Sequence, residues 1–351
     1  MASPCRVSDM KALILFSGGL DSTVAAKIVL QQGIELEALN FVTPFCQCRK
    51  GCGDMTRLVK ELGIRLHVIP LHEEYLEIIK DPKHGYGSNL NPCIDCRILM
   101  FRRAKLRMDE IGASFIVTGE VLGQRPMSQH KKALATIERE ADLEGLVVRP
   151  LSAKVLPPTK PEKEGWINRW GFLAIEGRSR KNQMEFAKTH RIRGYSCPSG
   201  GCLLTDPGFA KRLRDLISHC PDPSLNDIEL LKVGRHFRLS PSTKLVVGRN
   251  ERENERLRSL FMNGDILFEV LDYKCPLSIA RGPLNGDELL ISARIEARYS
   301  DAPKNKPVNV TYRMTDGRVI TLTVKPLNDE ELKSFSMKIV QLPKRHIESA
   351  N

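Results

Sequence analysis

The chain has 351 residues, 41% of them hydrophobic, and a formal charge of +12 from 54 Lys and Arg against 42 Asp and Glu. That length exceeds the roughly 100–200 residues of a common domain, so two or three compact units are expected. No segment approaches the roughly 20 apolar residues of a membrane-spanning helix, and residues 1–9 lack the apolar core of a secretory signal, so cytoplasm and no membrane are expected.

Taken in chain order, Ala12–Phe16 is an unbroken apolar run, the mark of a parallel strand buried on both faces. Ser17-Gly18-Gly19-Leu20-Asp21-Ser22 follows, then a helix over 23–32 that stops at Gly33. A strand is expected over 35–41, a helix over 55–62, a strand over 65–70, a helix over 98–111 and a strand over 115–118. This alternation implies right-handed crossovers and an α/β doubly wound parallel sheet. The periodicity weakens at the proline-rich run 155–161, a boundary. Beyond it, helices are expected over 178–190 and 209–219. From Asp227 the chain turns to short strands (230–233, 236–239, 245–247), then a helix over 251–261 and alternating segments near 288–299, 308–314 and 319–324. The division expected is 1–150, a connecting region 151–225 and a β-rich unit 226–351.

The six residues 17–22 sit between a buried strand and a helix start. Their two glycines let backbone approach a phosphate, and the helix start adds free amides and the positive end of its dipole. Ser17 and Ser22 add hydroxyls. Asp21 suits such a cradle only where a cation such as Mg²⁺ bridges it to the phosphates, and with no Lys closing the loop this is not a Walker A sequence. The run resembles the pyrophosphatase-loop (PP-loop) signature of the N-type ATP pyrophosphatases, which cleave ATP between its α- and β-phosphates and adenylate a substrate. Thr118-Gly119-Glu120-Val121-Leu122-Gly123-Gln124, with Ser128-Gln129, resembles the strand end beside the nucleotide in the tRNA 4-thiouridine synthases. The resemblance implies an adenine nucleotide alpha hydrolase-like fold and ATP contacts from Ser17, Gly18, Gly19, Asp21, Ser22, Thr118, Gly119 and Gln124.

Ten cysteines in a cytoplasmic chain point away from disulfides. Cys220 and Cys275 read as small buried hydrophobes. Cys93-Ile94-Asp95-Cys96 lies at a helix start, where thiolates are favoured, and reads as a redox dithiol, as two metal or cluster ligands, or as two inert thiols. A third ligand must come from elsewhere, and the run 195–206 offers two candidates, Cys197 and Cys202. Its Gly-Gly-Cys-Leu-Leu-Thr-Asp stretch resembles a subgroup of tRNA thiouridylase-like PP-loop proteins. The resemblance implies a 4Fe–4S cluster on Cys93, Cys96 and Cys202, one iron being left open for the sulfur; Cys197 is the rival to Cys202. A persulfide on one cysteine, resolved by another, is the arrangement without a cluster. Cys46, Cys48 and Cys52, with Cys5, could ligate zinc or a further cluster, or simply face solvent in a loop.

The positive charge favours a polyanionic partner. The runs 232–239 and 244–255 place Arg235, Arg238, Arg249 and Arg252 at turns and strand edges, with His236 and Phe237 between them, as a surface that grips a nucleic-acid backbone would. Both resemble the RNA-binding R domain of the NFACT proteins over about 226–290. Within these residues nothing resembles the THUMP or rhodanese domains of 4-thiouridine synthases, so the RNA grip is expected to differ from theirs. Together the features point to a tRNA sulfurtransferase that activates a uridine carbonyl with ATP and uses Asp21, Cys93 and Cys202 in catalysis. Its sulfur donor would be a cysteine desulfurase or inorganic sulfide, and a homodimer is a candidate assembly. A PP-loop enzyme acting on a small molecule, or a non-catalytic RNA-binding protein, are the rival readings.

Overall fold

A computed structural model describes residues 10–46, 55–195 and 201–337. They divide into two compact units, one ending at Thr205 and the other beginning at Asp206. The stretch 151–225, expected as a connecting region, is shared between them.

In the first unit the elements run β1 (Lys11–Leu15), α1 (Leu20–Leu30), β2 (Glu35–Val42), α2 (Met55–Leu62), β3 (Arg65–Pro70), α3 (Glu73–Lys80), α4 (Cys93–Glu110), β4 (Phe115–Thr118), α5 (Lys131–Glu140), β5 (Val147–Val148), α6 (Lys160–Lys163) and α7 (Lys181–Thr189). The strands form a parallel sheet in the order β3-β2-β1-β4-β5, so the fold is α/β and doubly wound. Successive side chains of β1 alternate between two cores, as strand geometry requires. Ala12 and Ile14 pack with Val24, Ala25 and Ile28 of α1, whereas Leu13 packs with Ile98, Phe101 and Ala104 of α4. The order reverses on either side of β1, and there the carboxyl ends of β1 and β4 open a crevice. Helices α3 and α5 lie where the sequence reading placed no element.

The second unit runs α8 (Pro207–His219), α9 (Leu225–Leu230), β6 (Arg235–Arg238), β7 (Lys244–Val247), α10 (Glu251–Leu260), β8 (Ile266–Val270), β9 (Ser278–Arg281), α11 (Gly286–Tyr299), β10 (Val308–Met314), β11 (Val319–Val324) and α12 (Asp329–Ser334). Its sheet is antiparallel, in the order β11-β10-β8-β9-β7-β6. Residues 230–233, expected as a strand, instead close α9, whose start is fixed by a reciprocal Ser224–Asp227 capping box. Likewise 288–299 is helical, started by an Asn285–Glu288 capping box. No helix among the described residues is long and apolar enough to cross a membrane.

One row of this sheet carries three cations side by side: Arg238, Lys244 and Arg281 on β6, β7 and β9. Arg238 is held by Asp215, and Arg281 by Asp227 and Asp265. Lys244 is 5% exposed. Burial and then the neighbouring Arg238 guanidinium push its ammonium down to about 7, against the pull of Asp215 and Asp227. An unfolded lysine titrates near 10.4, so the folded chain binds fewer protons between about pH 7 and 10 and its stability rises with pH across that window. Lys244→Met is expected to stabilise the second unit at pH 7 by about 1 kcal/mol or more and to flatten that rise, as urea unfolding at pH 7 and pH 9 would measure.

Candidate active site: a nucleotide loop facing three cysteines

The loop after β1 is built for close approach. Gly18 has φ +68°, a conformation glycine adopts without cost, and Gly19 caps α1 with no side-chain bond. The first-turn amides of α1 thus gain no acceptor from the cap residue. Ser22 and Thr23 turn their hydroxyls back to the Gly19 carbonyl at 3.0 and 2.9 Å, and Ser17 Oγ lies 3.2 Å from Ser22 Oγ. Gly119, at the end of β4, abuts the loop: a Cβ there would stand 2.6 Å from Asp21 C and Ser22 N. Burial raises the Asp21 carboxyl, opposed by Arg180, whose Nε is 3.6 Å from Oδ2. Asp21 Oδ1 and Gln124 Nε2 are buried without a partner in hydrogen-bond geometry.

The sulfur side is built from three separate segments. Helix α4 begins at Cys93, whose Sγ lies 3.1 Å from Ser128 Oγ. Cys96 lies one turn on, against the Tyr75 hydroxyl, and Tyr75 stacks on Phe45 with ring centroids 5.4 Å apart. The run 201–205 is anchored ahead of α4: Leu90 N donates to Leu204 O at 3.1 Å, and Asn89 Nδ2 to Thr205 O at 2.8 Å. Burial pushes the Cys96 thiol up to about 12 and the Cys202 thiol up to about 11. As free thiols both stay protonated at neutral pH.

A cavity of about 310 Å³ joins the two sides. Its lining includes Ser17, Asp21, Ser22, Thr118, Gly119 and Gln124 together with Cys93, Cys96 and Cys202. Gly18 and Gly19 form the turn beside it. Among the described residues no three His, Cys, Asp or Glu side chains gather closely enough to share one metal ion. A cubane cluster places each cysteine on a different iron and so needs its ligands further apart. Cys5, Cys48, Cys52 and Cys197 lie outside the described residues. Of the remaining cysteines, Cys275 packs against the core of the second unit with Val270 N 3.3 Å from its Sγ, and Cys220 is half-buried.

Three features of the cavity were not placed there by the sequence reading. Cys46, read as a zinc or cluster ligand with Cys48 and Cys52 or as part of a solvent-facing loop near the active site, lines the cavity and pairs with Cys202 across an antiparallel bridge. The neighbouring Leu203 N donates to Phe45 O at 2.8 Å, which makes Cys46 and Cys202 a non-hydrogen-bonded pair, the closer of the two antiparallel kinds. Arg97, directly after the Cys-x-x-Cys pair, also lines the cavity. Its Nη2 is 2.9 Å from Glu120 Oε1, and Arg149 Nε is 3.0 Å from Glu120 Oε2. Burial alone would raise the Glu120 pKa, but the two guanidiniums outweigh it and hold the carboxyl below its usual range. Position gave the available signal: Arg97 adjoins the cysteine pair, and Glu120 completes the Thr-Gly-Glu run.

In the second unit the four expected RNA contacts differ in availability. Arg252 is exposed, and Arg249 is half-engaged with Glu253 at 3.0 Å. Arg235 lies 4.8 Å over the Tyr299 ring and bonds Gly248 O. Arg238 is turned inward onto Asp215, a structural ion pair. His236 and Phe237 are not open rings for a ligand: Phe237 is core, and His236 is half-buried with Nε2 2.7 Å from Val233 O, desolvation holding its imidazole well below the usual range.

Two family models match the chain. Residues 7–154 match the thiamine biosynthesis protein (ThiI) family, and residues 234–336 match the NFACT protein RNA binding domain. The chain therefore joins a ThiI-type PP-loop domain to an NFACT-R domain. A probable tRNA sulfurtransferase of Lysinibacillus sphaericus is 36% identical over 149 residues, 41% of this chain and 35% of the relative. The tRNA-specific 2-thiouridylase MnmA of Syntrophotalea carbinolica is 34% identical over 117 residues, 30% of this chain and 33% of the relative. The chain thus spans about a third of the length of these curated relatives. Among solved structures, a 4-thiouridine synthetase–RNA complex with bound ATP is 24% identical at a TM-score of 0.33, covering 64% of this chain and 52% of that one.

Glu120 is 1% exposed and Arg149 5%. Glu120→Ala leaves Arg149 buried without its partner at that end and is expected to cost about 3–5 kcal/mol of stability in the first unit, read by denaturant unfolding.

Proposed function

We propose that this chain is an ATP-dependent tRNA-uridine sulfurtransferase. The observation that supports it most is that the nucleotide loop and Cys93, Cys96 and Cys202 line a single cavity. The NFACT-R match supports RNA over a small molecule as the substrate.

In this reading ATP lies with its phosphates on residues 17–22. The uridine carbonyl oxygen attacks the α-phosphorus, the bond to the β-phosphate oxygen breaks, and pyrophosphate leaves. A sulfur nucleophile then adds at the activated carbon, the carbon–oxygen bond breaks, and AMP departs with the oxygen. Activation is needed because a carbonyl oxygen leaves poorly and AMP leaves well. The protein contributes mainly position and charge: the loop amides face the phosphates, and the walls of the cavity bring the target carbon to the sulfur. Asp21 would hold Mg²⁺, which would neutralise phosphate charge; its buried, unpartnered Oδ1 suits an oxygen ligand. Cys93, Cys96 and Cys202 would hold a 4Fe–4S cluster. Three soft sulfur donors in one cavity fit that group, which would supply an iron position not taken by protein for a sulfur nucleophile. The sulfur donor would be a cysteine desulfurase or inorganic sulfide, the product 4-thiouridine or 2-thiouridine, the compartment the cytoplasm and the assembly a monomer or homodimer. Arg235, Arg249 and Arg252 remain the RNA contacts proposed for the second unit, and Arg238 supports β6, the strand that carries Arg235.

Asp21→Ala is expected to lower tRNA-dependent pyrophosphate release by at least about 100-fold with an unchanged unfolding midpoint; wild-type turnover would remove its role. Protein prepared anaerobically is expected to be brown with about four irons per chain. Replacing Cys93, Cys96 or Cys202 by Ala should lose iron and thiouridine formation together, and Cys197→Ala should keep both. Fully active anaerobic protein without iron would leave the persulfide route.

A further inference from the structure

The charge of the chain is not equally available everywhere. In the second unit most arginines near the surface are already engaged by the protein. Arg256 pairs with Glu229, Arg258 with Glu269, Arg294 with Glu331, Arg298 with Asp329 and Arg318 with Asp316. Helix α7 and its flanks in the first unit are different. Residues 178–193 hold six Lys and Arg against one acidic residue, Glu185. Arg178, Lys181, Lys188, Arg191 and Arg193 are exposed, and none of the five is in an ion pair among the described residues.

Their placement ties them to the cavity. Arg180 precedes the first residue of α7, and its Nε lies 3.6 Å from Asp21 Oδ2, so the helix starts at the nucleotide loop. Gly177 N, just before, donates to Leu122 O at 2.7 Å, fastening the same segment to the Thr118–Gln124 run. The inward side of α7, Gln183 and Ala187, is buried, and Phe186 packs against the core shared with α1. Lys181 and Lys188 are two turns apart on the outward side, about 10 Å along the axis. Nearby in sequence, the ring of Trp170 is 85% exposed, on a turn whose Asn168 N bonds Gln32 beyond the end of α1. Free cations leading away from a reaction cavity, with one bare aromatic face, match a ribose–phosphate chain with an unstacked base.

We propose that the segment 178–193 is a second RNA-binding surface, on the catalytic unit itself, that grips the tRNA backbone flanking the nucleotide delivered to the cavity. It rests on the sulfurtransferase reading for the identity of the RNA. The electrostatic grip needs no base contact: it holds register, and the cavity selects the base. Trp170 offers a stacking face to a neighbouring base.

The full chain is tested by tRNA binding across a salt series. Lys181→Gln, Lys188→Gln, Arg191→Gln and Arg193→Gln combined should weaken binding about tenfold or more and reduce the log–log salt slope by about three, since each lost phosphate contact removes roughly 0.7–0.9. ATP binding and the unfolding midpoint should stay at wild-type values. A charge-keeping companion, with Lys181→Arg, Lys188→Arg, Arg191→Lys and Arg193→Lys, should restore the slope. An unchanged slope in the glutamine variant, with wild-type protein binding tRNA and forming thiouridine, overturns the surface and leaves the function standing. Wild-type protein that binds tRNA but forms no thiouridine overturns the function, and the slope still reports whether this surface holds RNA. Wild-type protein that binds no tRNA overturns both.

Discussion

The buried carboxylate of Glu120 is the constraint on which the candidate site depends. It follows β4 by two residues, where Gly119 already touches the nucleotide loop, and it faces Arg97 on the helix that begins with the cysteine pair. An unpaired buried carboxylate costs several kcal/mol, and two guanidiniums remove that cost only when held in place. Glu120 therefore fixes the distance between the end of β4 and the first turns of α4. The loop 17–22 and the thiols take their separation from the same contact. Arg149, reaching from beyond β5 and also paired with Glu138, closes the network from behind.

The third cysteine needs a different device, because Cys202 is more than a hundred residues from the pair. Backbone bonds supply it. Leu203 pairs with Phe45, Leu204 with Leu90, and Thr205 with the Asn89 side chain, so a short turn is stitched to the loops following β2 and preceding α4. Phe45 is fully buried and stacks on Tyr75, which itself contacts Cys96. The packing that seats Cys202 is thus continuous with the packing that shields Cys96. This shared burial also explains the raised pKa values of both thiols: desolvation dominates, and the one nearby cation acting on Cys96, Arg97, is already paired with Glu120.

How much of this was legible in the sequence follows from the range of each signal. The strand–loop–helix start at residues 12–32 was readable because one continuous apolar run, two glycines and a helix all fall within about twenty positions. That the first sheet would be parallel and doubly wound followed from the alternation of apolar runs with helices; the order of its strands came only with the structure. Helix α11 was misread because its buried side holds Glu288, Ser292 and Glu296 while Leu290 faces out, so hydrophobicity does not follow the helical period. The inward turn of Arg238 was hidden because its partner, Asp215, lies on a helix 23 residues earlier. Cys46 was grouped with its sequence neighbours Cys48 and Cys52 because its cross-strand neighbour, Cys202, lies far along the chain and no local pattern announces an isolated bridge. Glu120 could be read as part of a motif, but its partners come from two other segments.

A last step concerns what the two units must each supply. Each has its own core, one centred on β1 and its flanking helices, the other on β8, β10 and α11. The cavity is complete within the first unit, from Leu15 to Cys202, so no side chain of the second unit is needed to shape it. Reaction geometry tolerates errors of only fractions of an ångström, whereas a grip on phosphates tolerates far more because it acts through long, flexible cationic side chains. A chain that confines the first requirement to one rigid unit can carry the second on a separate domain without disturbing its chemistry. The cost is that the separate domain fixes only where the RNA is held, not which nucleotide enters. In the proposed function the lining of the cavity makes that final choice, and the exposed cations of residues 178–193 hold the flanking backbone in register.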